Sequence, residues 1–80
     1  MSLPPLKLDS DAVDVEFTDT TLRIVLADGR ELAAPLEGFP RLRDATPAQR
    51  ANWRLIGAGQ GIHWPDLDED VAVSTLLRSV

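Results

Sequence analysis

The chain has 80 residues, 44% of them hydrophobic, with 13 acidic side chains, 8 basic ones and no cysteine. That length holds one small domain, and the composition excludes a disordered segment, a disulfide scaffold and a thiolate zinc site. The net charge of −5 argues against direct nucleic-acid binding, which leaves a basic footprint.

No apolar run is long enough for a membrane span and no signal-peptide pattern is present, so the expected setting is cytoplasmic. Domains this small commonly gain buried area by self-association, so a homo-oligomer is expected.

In chain order, residues 1–11 read as a flexible arm, with Pro4-Pro5 extended and Asp9-Ser-Asp11 a turn. Residues 12–80 read as a single domain. Val13, Val15 and Phe17 alternate with Asp14 and Glu16, which marks a half-buried strand. After a turn at 18–21, Leu22, Ile24 and Leu26 form a second strand. Setting Phe17 opposite Leu22 places Val15 against Ile24 and Val13 against Leu26, with Glu16 facing Arg23 on the other side.

At Asp28-Gly29 a two-residue loop would turn Leu32 away from Ile24. A three-residue loop, Ala27-Asp-Gly29, closed by Gly29 in the left-handed region, pairs Ile24 with Leu32 and Leu22 with Ala34. Pro35 ends this third strand. Thr46, Pro47 and Gln49 form a capping box with proline at the first helical position, and predict a helix running to about Trp53. Leu55-Ile56 and Ile62-His-Trp64 read as a second hairpin around a glycine-rich turn. Asp66-Leu-Asp-Glu-Asp70 reads as an acidic turn, Val71-Ala-Val73 as extended, and Ser74 as the N-cap of a terminal helix over 75–80. The fold class is α+β: a three-stranded antiparallel meander, a capped helix, a short β-hairpin and a C-terminal helix. The meander's apolar face, Val13 to Leu32, is expected to meet Trp53, Leu55, Ile56, Leu76 and Leu77.

The stretch 57–70 is the densest in chemistry. It holds three of the five glycines, the one histidine and one of the two tryptophans. The spacing Gly57-x-Gly59-x-Gly61 departs from the dinucleotide fingerprint and lacks the lysine of a P-loop, so it reads as a turn needing positive φ. His63 has the residue type of a general base, but alternation sets it opposite to Ile62 and Trp64, and no serine stands in a nucleophile context. Asp66, Asp68, Glu69 and Asp70 supply hard oxygen ligands without an EF-hand's length or glycine. Arg41, Arg43, Arg50 and Arg54 are the one basic concentration. No catalytic residue, metal site or cofactor is assigned.

Asp28-Gly-Arg30, Phe39-Pro-Arg-Leu42, Ala45-Thr46, Gln49-Arg50, Asn52-Trp53 and Ile56-Gly57 form one part of a wider pattern. Gly61-Ile-His-Trp-Pro65, Leu67-Asp-Glu-Asp70, Val73 and Leu76-Leu77 complete it. Together, from about Val13 to Leu77, they resemble the bacterial domain-of-unknown-function 2442 family. The resemblance implies a small α+β domain with an antiparallel sheet and no established activity. It also implies an arrangement beside another small protein, similar to toxin–antitoxin pairs. Longer relatives append a helix-turn-helix, for which no room follows Val80.

The leading expectation is a non-enzymatic protein-interaction module, the antitoxin-like member of a two-protein operon, with a small protein encoded nearby as partner. Its candidate surface is His63, Trp64, Asp66, Asp68 and Asp70, with Arg41 and Arg50 across the same cleft. The alternatives are a metal- or ligand-binding or enzymatic site around His63 and the acidic turn, and a transcription-related accessory domain using the arginines.

Overall fold

Strands β1 (Ala12–Phe17), β2 (Thr21–Leu26) and β3 (Glu31–Pro35) form an antiparallel meander in sequential order. The structure, a computed structural model, describes residues 8–78. The register follows from facial pattern: Val15 faces Ile24, Phe17 faces Leu22, Ile24 faces Leu32 and Leu22 faces Ala34. Glu16 faces Arg23 on the exposed side and is ion-paired with it. The β2–β3 loop is the three-residue one. The Gly29 N–H donates to the Leu26 carbonyl at 2.9 Å, and Gly29 takes φ +92°.

One expected pair is displaced. A bulge between Ala12 and Asp14 sets Ala12, not Val13, against Leu26. Ala12 is buried and Val13 is 51% exposed. A bulge inserts one residue and reverses the facing of what precedes it, so strict alternation assigned Val13 to the wrong side.

Of the expected arm, residues 1–7 lie outside the described residues. Residues 9–11 are fastened to the β2–β3 loop. The Ala27 N–H donates to the Asp11 carbonyl at 2.8 Å, the Asp9 N–H donates to the Asp28 carboxylate at 3.0 Å, and Arg30 Nη2 donates to Ser10 Oγ at 2.8 Å.

After a 3-10 turn at Leu36–Gly38 come two short helices, α1 (Pro40–Arg43) and α2 (Pro47–Ala51). The capping box of α2 is present: the Gln49 N–H donates to Thr46 Oγ1 at 3.1 Å, and the Thr46 N–H donates to Gln49 Oε1 at 3.0 Å. The helix ends at Ala51, two residues before the expected limit, because Asn52 leaves helical geometry and leads into a strand.

The second sheet has three strands where a hairpin was expected: β4 (Arg54–Ile56), β5 (Gly61–Trp64) and β6 (Glu69–Ala72), again antiparallel and in order. Glu69 and Asp70 therefore belong to a strand, and only Pro65–Leu67 and Asp68 make the turn. Helix α3 (Val73–Arg78) begins one residue before Ser74; the expected final residues 79–80 lie outside the described residues.

The apolar faces of both sheets share one core. Its largest fully buried side chains are Trp64, Leu22, Ile24, Leu26, Leu42 and Ile62. Phe17, Trp53 and Leu77 pack against its margin, and Leu76 is buried. Leu55 and Ile56, expected inside, are 39% and 41% exposed. The layer facing the meander is supplied instead by Ile62, Trp64 and Val71.

Candidate functional site

The second sheet has two different faces. Leu55, Ile62 and Val71 stand opposite one another across its strands, and Ile62 and Val71 are buried in the core. The outer face carries the intervening positions: Arg54 opposite His63, His63 opposite Asp70, Ile56 opposite Gly61, and Gly61 opposite Ala72. This placement is forced by the two-residue period of a strand, which sends His63 outward because Ile62 and Trp64 go inward.

On that outer face His63 Nδ1 meets Asp70 Oδ1 directly. The side chains are 30% and 67% exposed, so the pair is open to solvent. Beside it lies a shallow, mainly apolar groove lined by Ile56, Gln60, Gly61, Ala72 and Asp70. Gly61 makes this groove possible. A Cβ there would stand 3.1 Å from Ile56 Cγ1 and 3.3 Å from the Val71 carbonyl oxygen.

The acidic turn is held from behind. Arg41 Nη1 donates to the carbonyls of Asp68 at 2.9 Å and Leu67 at 3.4 Å, and Asn52 Nδ2 donates to Asp66 Oδ2 at 3.0 Å. Asp68 takes φ +49°, a left-handed conformation that aspartate tolerates better than most residues. Arg41 thus lies against the backbone of the acidic turn.

Two expected surface residues are placed elsewhere. Trp64 is fully buried. Its Nε1–H donates to the Arg50 carbonyl at 3.0 Å, and its ring meets Phe17 edge-on, with 6.1 Å between centroids and 72° between planes. It anchors the core and offers no surface. Arg50 serves the same anchor. Its Nε and Nη2 donate to the carbonyls of Leu42 at 2.8 Å and Arg43 at 2.7 Å, and its guanidinium lies 5.3 Å from the Phe17 ring centroid. It closes the carbonyl end of α1, and among the described residues it makes no hydrogen bond or ion pair with the acidic turn.

Arg43 is engaged locally as well. Arg43 bonds Asp44 and Glu37, which raises its already high pKa, chiefly through the Asp44 hydrogen bond. The Asp44 carboxyl is lowered in turn by the Arg43 hydrogen bond. Of the four clustered arginines, Arg54 alone has no side-chain hydrogen bond or ion pair among the described residues. Among the described residues no group of three or more histidine, aspartate or glutamate side chains converges as a metal site. No helix among them is long and apolar enough to cross a membrane.

Sequence reasoning missed the groove and the exposure of Leu55 and Ile56. The signal was present: adjacent apolar residues in a strand face opposite sides, so both could not enter one core.

A small antiparallel α+β domain with a His–Asp pair and an apolar groove on an open sheet face is the class of protein defined here. The chain belongs to the DUF2442 family of proteins of unknown function, whose model matches residues 12–80. None of the curated proteins matches it. Among solved structures it is similar to an uncharacterised protein from Chromobacterium violaceum, determined by solution NMR, with 26% identity and a TM-score of 0.71. That match covers 85% of this chain and 64% of the other, so the chain spans about two thirds of that protein's length. The fold is also that of a protein of unknown function from Rhodospirillum rubrum, with 24% identity, a TM-score of 0.72, and coverage of 88% of this chain and 87% of that one.

Proposed function

We propose that this domain is a non-enzymatic protein-interaction module, the antitoxin-like member of a two-protein pair, whose partner is a small protein encoded nearby. The observation that carries the reading is the groove on the outer face of the second sheet, with Asp70 at its rim. Its floor is apolar and its rim is anionic, in a chain of net charge −5. Such a groove suits an apolar side chain flanked by lysine or arginine on a basic partner. The turn carrying Asp66 and Asp68 stands at the other end of the β5–β6 hairpin, and its backbone bonds to Arg41 reduce the ordering entropy of any contact that reaches it. Among the described residues no hydroxyl or amine side chain hydrogen-bonds the His63–Asp70 pair, which favours recognition over catalysis.

The test is calorimetry with the purified neighbouring gene product. Asp70→Lys should weaken binding at least about tenfold, and rising salt should weaken it further, as expected of opposite charges meeting at a rim. Unchanged affinity after alanine substitution of Ile56, His63, Asp66, Asp68 and Asp70 together would sink the reading.

A further inference from the structure

We infer that β4 is a self-pairing edge, at which a second copy of this chain adds its own β4 antiparallel across a two-fold axis through Leu55. The inference comes from comparing the sheet edges. An edge strand presents every second N–H and C=O outward, and proteins blunt such edges with bulges, prolines, charges or covering elements.

Three of the four edges are blunted. Strand β1 carries the bulge at Val13, and Asp14 Oδ1 accepts from the Val15 N–H at 2.9 Å, in the edge strand itself. Strand β3 ends in Pro35, and α3 lies against it. Strand β6 carries Glu69 and Asp70. Strand β4 has no bulge and no proline, all three of its residues are exposed, and its one charge, Arg54, stands at its first residue, off the proposed axis.

The side chains of β4 fit a second copy of themselves. On the inner face the row Val71, Ile62, Leu55 runs from core to edge and stops at a leucine 39% exposed. A two-fold axis through Leu55 sets this leucine directly against Leu55 of the second copy and continues the apolar row across the junction. On the outer face the same axis sets Arg54 opposite Ile56 of the second copy. The arginine stem then covers the isoleucine, and the two Arg54 charges stand diagonally apart. No like charges are placed directly opposite, the arrangement that destabilises strand pairs.

Three residues per copy make a small contact, below the ~1,200 Å² of total buried area typical of stable complexes. The association is therefore weak, concentration-dependent and two-fold symmetric. Because each copy carries −5, added salt relieves repulsion between copies and tightens it. Partner binding at the acidic rim has the opposite salt response.

The chain has no cysteine, so single thiols report the register cleanly. Directly opposed residues have Cβ atoms ~4.5–5.5 Å apart and diagonal ones sit at ~7–8 Å, and a disulfide needs about 3.5–4.5 Å. Under mild oxidation Leu55→Cys should form a disulfide dimer at least about tenfold faster than Arg54→Cys, whose thiols lie on the diagonal. In sedimentation of the full chain up to millimolar concentration, the unmodified protein should dimerise. Leu55→Lys should remain monomeric with unchanged circular dichroism, and Asp70→Lys should dimerise at least as tightly as the unmodified protein.

Equal cross-linking rates, or an unmodified chain that stays monomeric throughout, overturn the inference and leave the partner reading intact. Partner binding that survives Asp70→Lys overturns that reading and leaves self-pairing intact.

Discussion

Trp64 decides whether the second sheet and the helices form one cooperative unit with the meander. Replacing it with phenylalanine keeps an aromatic ring near Phe17 but removes the Nε1–H that satisfies the Arg50 carbonyl. A part-buried carbonyl left without its donor costs about 1–3 kcal/mol. The smaller ring also leaves a void in a site with no solvent exposure, which adds about 1 kcal/mol on the scale of large-to-small core changes. The expected loss for Trp64→Phe is therefore about 2–4 kcal/mol, summing the orphaned carbonyl and the void.

A domain of this size has roughly 4–12 kcal/mol in total, taking the usual stability per residue. Trp64→Phe should remain folded with a lowered midpoint in urea, and Trp64→Ala, at about 3–5 kcal/mol for the side chain plus the lost donor, should be near unfolding. The assay is equilibrium urea unfolding followed by far-ultraviolet circular dichroism, so that removing the tryptophan does not remove the probe. A double cycle of Trp64→Leu with Phe17→Leu, each of which removes one ring, should show about 0.5–1.5 kcal/mol of coupling between the two rings. A loss under about 0.5 kcal/mol for Trp64→Phe, the range of ordinary surface substitutions, would refute the anchoring role.

Gly59→Ala should cost more than about 2 kcal/mol, because positive-φ strain there adds to a clash. Gly59 takes φ +99°, and a Cβ would stand 2.8 Å from the Ala12 carbonyl oxygen and 2.9 Å from Asp11 Cβ. Gly29→Ala is its control, with φ +92° and open space, and should cost only about 1–2 kcal/mol of left-handed strain; equal losses in urea unfolding would refute close docking of the 57–59 turn on β1. Thr46→Ala should cost about 1 kcal/mol through the lost cap, with a smaller fall in the midpoint than Trp64→Phe. Asp28 tests pH dependence. Its carboxyl is held below the usual range chiefly by the Arg30 backbone N–H, against desolvation, with further lowering from the Asp9 N–H and the Arg30 side chain. A depressed folded pKa stabilises fully above the unfolded value of about 3.9, and this stabilisation fades as pH falls through the lower folded value. The stability gap between the unmodified chain and Asp28→Asn should therefore be full at neutral pH and shrink below about pH 4; a gap that does not narrow on acidification would refute this.

The meander was legible because its signals are local and mutually consistent. Alternation fixed the faces, Glu16 against Arg23 supported the register, and Gly29 chose the loop length that kept Leu32 beside Ile24. The α2 cap was legible because Thr46, Pro47 and Gln49 act within a single turn. What was not legible depends on contacts across the chain. The bulge at Val13 obeys no pattern in β1 itself; with Ala12 inward, the chain meets Gly59, whose missing side chain lets the 57–59 turn close on the Ala12 backbone. Strand β6 was hidden because Glu69 and Asp70 are poor strand formers, and their place is set by pairing with Trp64 and His63.

The candidate site was half legible for the same reason. His63 faces outward by alternation, and Asp70 meets it only because β6 exists. Alternation set Trp64 beside Ile62, yet it was included in the candidate surface because aromatics are frequent at interfaces, and Arg50 was included as one of the clustered arginines. Burial decides otherwise here: in so small a core, one indole between Phe17 and the Arg50 carbonyl closes the gap between two sheets. With the indole committed inward, the outer face of the second sheet is left with small or apolar residues, Gly61, Ala72 and Ile56, beside Arg54 and one His–Asp pair. The packing that takes Trp64 out of any interface is thus what shapes the groove next to it. A partner would then read the outer face of the same β-strand whose inner face holds the domain together, so binding there should tend to protect the core amides of β5 against hydrogen exchange.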